Sequence, residues 1–352
     1  MTHTASSLAR PAPAAPPRET VRTAEIAGHV AGDLDAAIAL VTDDLHAVEA
    51  RLADLLQSSI AVIPELGGQL AFAGGKRFRP LVALLAAKAA GFTDPVRTTL
   101  AAVGELLHTA TLLHDDVIDS GEFRRGRPTA RLHYGNGMAV LTGDFCLARA
   151  LQAIAYAGRL AAVQTMSDAV TRMAEGEVAQ LQVAGDASLD RDRYYLVIDR
   201  KTAALIAWCS SVGGLLDPTV TAALHRYGLE IGYAFQIADD VLDYTSGVDQ
   251  TGKARGQDLR DGKVTLPLIL ACAQDLGLRR RIHALLGDGP PVDPEAAADL
   301  VARVAASSAP EQAAQVAEEH ARVAVAQLSA LPPSPARDAL AALARYVTRR
   351  RT

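Results

Sequence analysis

His114-Asp115-Asp116-Val117-Ile118-Asp119 is echoed further along the chain by Ala238-Asp239-Asp240-Val241-Leu242-Asp243, each copy set in an otherwise apolar stretch. In a helix the first and last aspartates of each motif lie four residues apart and stack on one face, while the middle one points about 100° away. Carboxylates so close repel one another. Among Leu, Val and Ile they are tolerated only if they share something cationic, and an oxygen-rich site with open positions suits Mg²⁺ held partly by substrate phosphates.

Positive charge is concentrated at a few points around these motifs. Gly74-Gly75-Lys76-Arg77-Phe78-Arg79-Pro80 breaks one helix and opens the next, which is predicted to run through Ala90. Cations at a helix start oppose the helix dipole, so this cluster makes a better anion site than a stable terminus. A helix predicted from Pro95 to about Ser120 carries His108 and the first acidic motif, and Arg124-Arg125 follow in the next loop. Helices are predicted over 137–157, 161–184 and 192–213, and Asp217-Pro218 supplies cap and first-turn chemistry for a helix reaching Tyr244. Beyond the second motif, Gly247, Gly252, Gly256 and Gly262 punctuate a polar loop with Lys253 and Lys263. A site for two diphosphates accounts for the whole set: metal ions bridge the carboxylates to one, and Lys and Arg hold the other directly. Each group also has a plainer reading. Arg124 and Arg125 could pair with Glu122, Lys201 with Asp199 or Asp192, and Lys263 with Asp258 or Asp261. Glu175, Glu177 and Gln180 read as supporting or helix-packing residues.

The rest of the chain is the background for this site. Of 352 residues, 49% are hydrophobic and only 4% aromatic, with Ala, Leu and Val dominant; this favours helix, and no segment reads as a strand. The net charge of −5 gives no general attraction to nucleic acid or to an anionic membrane. Cys146, Cys209 and Cys272 lack metal-ligand spacing and read as buried free thiols of a reducing compartment. Residues 1–25, rich in Pro and Ala, are expected to be a disordered tail, and 26–352 a single all-helical domain. No apolar run is long enough for a signal peptide or a membrane span, which points to the cytoplasm. From Val30 to Leu55 the apolar residues recur at steps of four and three, predicting one long amphipathic helix that packs or dimerises along a stripe.

Taken in order and spacing, the two acidic motifs, Gly74 to Pro80, His108, Arg124-Arg125, Lys201-Thr202 and Gln236 resemble the trans-polyprenyl diphosphate synthases of the isoprenoid synthase superfamily. The resemblance runs from about residue 30 to the C-terminus. It implies an all-α bundle of roughly ten or more helices around a central elongation cavity. It also implies condensation of isopentenyl diphosphate with an allylic diphosphate, with Mg²⁺ at about three ions per site. By the same resemblance Asp115, Asp119 and Asp239 ligate metal, with Asp116, Asp240 and Asp243 contributing directly or through water. Arg124, Lys201, Lys253 and Lys263 would hold the allylic diphosphate, and Lys76, Arg79, His108 and Arg125 isopentenyl diphosphate. Lys201, Thr202 and Gln236 would face the developing allylic cation. The released diphosphate would take the proton, so neither His108 nor His114 is assigned as general base.

Ala110 and Thr111 lie just before Asp115, where short-chain members of the family tend to carry aromatic side chains as a floor. Both are small, and the expectation is a long product, hexaprenyl or longer. Three alternatives stay open: a farnesyl or geranylgeranyl diphosphate synthase, a class I terpene cyclase, and a non-catalytic subunit of a heteromeric synthase. A cyclase has no need of Lys76, Arg79, His108 and Arg125, and non-catalytic subunits usually have degraded acidic motifs. The resemblance further implies a homodimer with transient membrane association for product release.

Overall fold

Two helices, rather than one, are formed by the N-terminal apolar seam in the computed structural model, which describes residues 31–73, 77–124, 127–186, 188–245, 255–287, 289 and 291–349. Helix α1 spans Ala31–Ala39 and α2 spans Thr42–Leu55. The helical ladder breaks at Val41, whose φ of −134° is not helical. Leu34, Ile38, Val41, Leu45, Val48, Leu52 and Leu55 are all buried within this chain, because α1 packs on the last helix and α2 on the fifth. The seam is therefore consumed internally and leaves no stripe for a second copy. The expected N-terminal tail lies outside the described residues.

The other helices follow in order: α3 Val62–Ala71, α4 Phe78–Ala89, α5 Val96–Ile118, α6 Ala130–Tyr134, α7 Asn136–Tyr156, α8 Leu160–Val183, α9 Arg191–Ile198, α10 Ala204–Ser210 and α11 Pro218–Thr245. The C-terminal third adds α12 Gln257–Arg260, α13 Leu266–Gln274, α14 Leu276–Gly287, α15 Pro294–Ala306, α16 Ala309–Gln327 and α17 Pro335–Arg349. The fold is all-α. One small departure from the expected absence of strands is the antiparallel pair β1 Phe123–Arg124 and β2 Arg127–Pro128, just after the first acidic motif.

Helices α4, α5, α10 and α11 make up the interior. Every residue from Pro80 to Ala87 is buried, and so is every residue of α10, as suits helices that are apolar all round. At Gly104 an added Cβ would stand 2.5 Å from the Cys209 Sγ, so α5 and α10 approach closely only because glycine faces the thiol. Cys146, Cys209 and Cys272 are free and buried. The Asp217 carboxylate caps α11, accepting from the Thr219 amide at 2.9 Å, in agreement with the sequence.

The apolar residues fall into two clusters. The larger joins α1–α5, α7, α8, α10 and α17 to the first half of α11. The smaller gathers α9 and α12–α16 around Ile237 and Tyr244 in the second half of α11. Helix α11 thus passes from one core into the other. Helix α7 packs on α5, and among the described residues it is the one helix whose length and apolar composition would suffice to cross a membrane. Core helices share that property, but here Leu141 and Leu151 are exposed.

Leu52 is fully buried, so Leu52→Ala should cost about 2–5 kcal/mol in urea unfolding. Sedimentation of the folded variant should match that of the wild type, since the seam faces other helices of the same chain.

Candidate active site

Both acidic motifs sit at helix C-termini. Asp115 and Asp116 are in the last turn of α5, and Asp119 caps it, its amide donating to the Asp115 carbonyl at 2.8 Å. Asp239, Asp240 and Asp243 occupy the last two turns of α11. The negative end of a helix dipole is an unfavourable place for carboxylates, and burial adds to the penalty. Burial pushes Asp115 up to about 6, with Glu177 and Asp119 adding to it and Lys201 and Arg124 opposing. Asp116 is also raised by burial, against the pull of Arg124.

Each aspartate of the first motif has its own cation, and the three cations come from three separate elements. Lys201 Nζ stands 3.8 Å from Asp115 Oδ2. Arg124 Nε, on β1, donates to Asp116 Oδ1 at 2.8 Å. Lys263 Nζ, on the approach to α13, lies 3.6 Å from Asp119 Oδ2 and 3.2 Å from Asp261 Oδ2. Burial works against the Lys263 charge, yet Asp258, Asp119 and Asp261 together raise its pKa above the ordinary lysine value. Lys201 does not reach Asp199 or Asp192; its tight partner is Glu177 on α8, at 2.5 Å. Glu177, assigned only a supporting role from sequence, thus holds Lys201 beside the first motif, with Gln180 donating to its other oxygen at 3.3 Å.

The second motif is tied more deeply into the protein. Asp240 is buried, and its two oxygens accept from the Tyr194 hydroxyl at 2.6 Å and the Gln236 amide at 2.9 Å. Burial drives its pKa well above the ordinary aspartate value. Gln236 in turn accepts from the Thr202 hydroxyl at 2.8 Å, so a relay of hydrogen bonds runs from Thr202 through Gln236 and Asp240 to Tyr194. The Asp243 oxygens accept from the backbone amides of Gln257 at 3.1 Å and Asp258 at 3.2 Å, capping α12. Six equivalent carboxylates are therefore not what the fold presents: Asp240 and Asp243 have protein donors on both oxygens, while Asp239 is half-buried. Tyr194 had no motif to mark it, and only the packing of α9 against α11 reveals it.

Lys201 and Thr202 sit on a π turn, Asp199–Ala203, between α9 and α10. The helix predicted over 192–213 is thus interrupted at the residues expected to face the substrate, and π turns are common at functional positions. Arg79 is half-buried in the first turn of α4, and His108 is half-buried on α5, seven residues before Asp115. Their neighbour Arg77 turns inward, pairing with Glu49 on α2 and, at 3.1 Å, with Glu105 on α5. His114 faces α7, with Nε2 3.2 Å from Asp144 Oδ1, away from the carboxylate cluster. Ala110 is buried, and the Thr111 hydroxyl donates to the His108 carbonyl at 2.8 Å. Lys76, Arg125, Lys253 and the first half of the Gly247 to Gly262 loop lie outside the described residues.

The donor chemistry fits a divalent cation. Asp116 Oδ2 is buried and has no hydrogen-bond partner, a lone pair that a hard cation would satisfy. Among the described residues no three acidic, His or Cys side chains already converge at metal-holding distance. Two lysines and an arginine hold the acids in separate pairs, and Mg²⁺ characteristically takes one or two carboxylates and completes its shell with phosphate and water.

The raised Asp115 pKa has a consequence for stability. The folded chain holds this proton more tightly than the unfolded chain, so stability falls as pH rises from about 4 to about 6 and stays low above. With chelator present, Asp115→Asn should therefore be the more stable protein near pH 7.5, by roughly 1–3 kcal/mol, with the gap closing towards pH 4. Urea unfolding across that range measures it; a difference independent of pH would show that burial does not strain this carboxylate.

Comparison with known proteins places this geometry in a family. The polyprenyl synthetase pattern matches residues 61–304, from the third helix to the fifteenth. The octaprenyl diphosphate synthase of Escherichia coli is 39% identical over 320 residues, covering 88% of this chain and 97% of its own. An all-trans-nonaprenyl-diphosphate synthase (geranyl-diphosphate specific) of Rhodobacter capsulatus is 38% identical over 312 residues, covering 88% of this chain and 95% of its own. A polyprenyl synthase of Caulobacter crescentus, solved in complex with calcium and isoprenyl diphosphate, superposes with a TM-score of 0.86 at 37% identity, covering 91% of this chain and 98% of its own. The chain belongs to the polyprenyl synthetase family and is a prenyltransferase.

Proposed function

We propose that this protein joins isopentenyl diphosphate head-to-tail to an allylic diphosphate, releases diphosphate, and so builds a long all-trans polyprenyl diphosphate. The observation that carries the reading is the one-to-one pairing of Asp115, Asp116 and Asp119 with Lys201, Arg124 and Lys263. Such an array has both signs of charge ready for a metal–diphosphate complex, the acids for the cation and the bases for phosphate oxygens. Magnesium, when bound, would draw charge from the allylic diphosphate and make it a leaving group. Asp115, Asp119 and Asp239 would hold it, with the buried Asp116 contributing its unpartnered oxygen.

Lys201 is 3.8 Å from Asp115, a loose contact that it can exchange for a phosphate oxygen while Glu177 keeps hold of the same ammonium group at 2.5 Å. Arg124 and Lys263 would exchange in the same way. The oriented dipoles of Thr202 and Gln236, locked to each other at 2.8 Å, would face the allylic cation. Arg79 and His108, with Lys76 and Arg125, would bind isopentenyl diphosphate without metal. Proton loss needs no base from the protein, since the departing diphosphate can accept it. Residues 26–352 would form one domain, working in the cytoplasm. A second copy would cover the exposed Leu141, Leu151, Tyr156 and Leu160 on α7 and the start of α8, forming a homodimer.

Ala110 and Thr111 leave no aromatic floor below the first motif, and the octaprenyl and nonaprenyl synthases are among its relatives. Purified protein given farnesyl diphosphate, labelled isopentenyl diphosphate and Mg²⁺ should yield products beyond the geranylgeranyl length on reversed-phase chromatography. Stopping at geranylgeranyl diphosphate would overturn the long-chain reading, and absence of any incorporation would overturn condensation itself. Lys201→Ala should lower kcat by about 10²–10³-fold. Ala110→Phe should shorten the product while condensation continues; an unchanged product would show that the chain grows elsewhere.

A further inference from the structure

The π turn at Asp199–Ala203 is held from both sides by features that the proposed chemistry does not itself use. On α8, a Cβ added to Gly176 would stand 2.6 Å from the Lys201 amide nitrogen and 2.7 Å from Arg200 Cβ. On α11, a Cβ added to Gly232 would stand 2.6 Å from Ala203 Cα and 2.7 Å from Ala203 Cβ. The backbone of the turn therefore rests on two bare helix surfaces. At its first residue, Asp199 ties the turn to both walls: one carboxylate oxygen accepts from Arg172 on α8 and the other from Tyr233 on α11, each at 2.6 Å.

These contacts have a shared register with the site. On α8, Arg172 and Gly176 are one turn apart, and Gly176 precedes Glu177, the partner of Lys201. On α11, Gly232 and Tyr233 precede Gln236, the partner of Thr202, and Gln236 is one turn from Asp240. Each wall thus seats the backbone of the turn and also receives one of its functional side chains. Moving the turn off either wall separates Lys201 from Glu177 or Thr202 from Gln236.

We propose that Gly176, Gly232 and Asp199 are positioning residues, which clamp the π turn between α8 and α11 and so set the aim of Lys201 and Thr202. This rests on the proposed condensation. A methyl group at either glycine must displace the turn by roughly 1 Å to regain ordinary contact distance. A misplacement of that size in a reacting constellation lowers turnover by about 100-fold. Substrate held by groups on other helices is not affected, because Arg79 lies on α4 and His108 on α5.

The test measures kcat, KM for isopentenyl diphosphate and urea unfolding for Gly176→Ala, Gly232→Ala, Asp199→Asn and Tyr233→Phe, with Gly228→Ala as a control. Gly228 is one turn before Gly232 on α11, and its added Cβ would strike Ser210 and Ala207 of α10, beyond the turn. The two turn-facing glycine variants should lose about 100-fold in kcat, and Asp199→Asn and Tyr233→Phe about 10-fold, with KM for isopentenyl diphosphate unchanged within about twofold. Folded Gly228→Ala should lose stability while keeping kcat. The proposal is overturned if the folded variants keep wild-type kcat, or if Gly228→Ala loses as much. Where a glycine variant does not fold, Asp199→Asn and Tyr233→Phe decide alone, since neither adds bulk. Wild-type protein that fails to condense at all would instead overturn the proposed function.

Discussion

Three aspartates crowded at the negative end of one helix, Asp116 among them fully buried, require positive charge, and the architecture around them is arranged to deliver it. No neighbouring residue of α5 can do so, so the chain brings a lysine from a π turn, an arginine from a two-residue strand and a lysine from the approach to α13. Each carrier is an irregular element. Regular helices supply the walls, and the departures from regularity point charge inward. The hairpin, the π turn and the segment after the second motif all converge on the last turn of α5 because the carboxylates there are costly when left alone.

The second motif answers the same constraint differently. Asp240 accepts two hydrogen bonds from neutral groups, and Asp243 accepts two backbone amides. These donors orient both side chains at the end of α11, and burial favours the neutral form of Asp240. The two walls are alike in sequence, yet different elements supply the donors that hold them.

Much of this was legible in the sequence, and the parts that were not share a cause. The bounds of α5 and the cap at Asp217 follow from local chemistry: Pro and Asp at starts, and apolar periodicity between. The resemblance carried by Lys201, Thr202 and Gln236 led to groups that the fold does bring together, Thr202 and Gln236 in one relay and Lys201 beside the first motif. What escaped was tertiary. The seam from Leu34 to Leu55 has the right period for a helix, but nothing in it says that Val41 breaks the ladder or that α5 and α17 cover it. The five residues of the π turn contain no Gly or Pro to mark an interruption, since its cause lies on α8 and α11. Glu177 and Tyr194 look like ordinary helix residues until Lys201 and Asp240 arrive beside them.

Helix α11 passes through both hydrophobic clusters and carries an acidic motif at its far end. Its first half is fixed by one core and its second half by the other, whereas the opposing motif belongs to a helix rooted in the larger core alone. The two walls can face each other only when both cores have formed around the same helix. A chain folded in one half has one acidic wall and no opposing one, and under the proposed chemistry would have no site in which to ionise a diphosphate. On the proposed function, the chemistry would thereby be confined to the completely folded protein, in which both acidic walls are present.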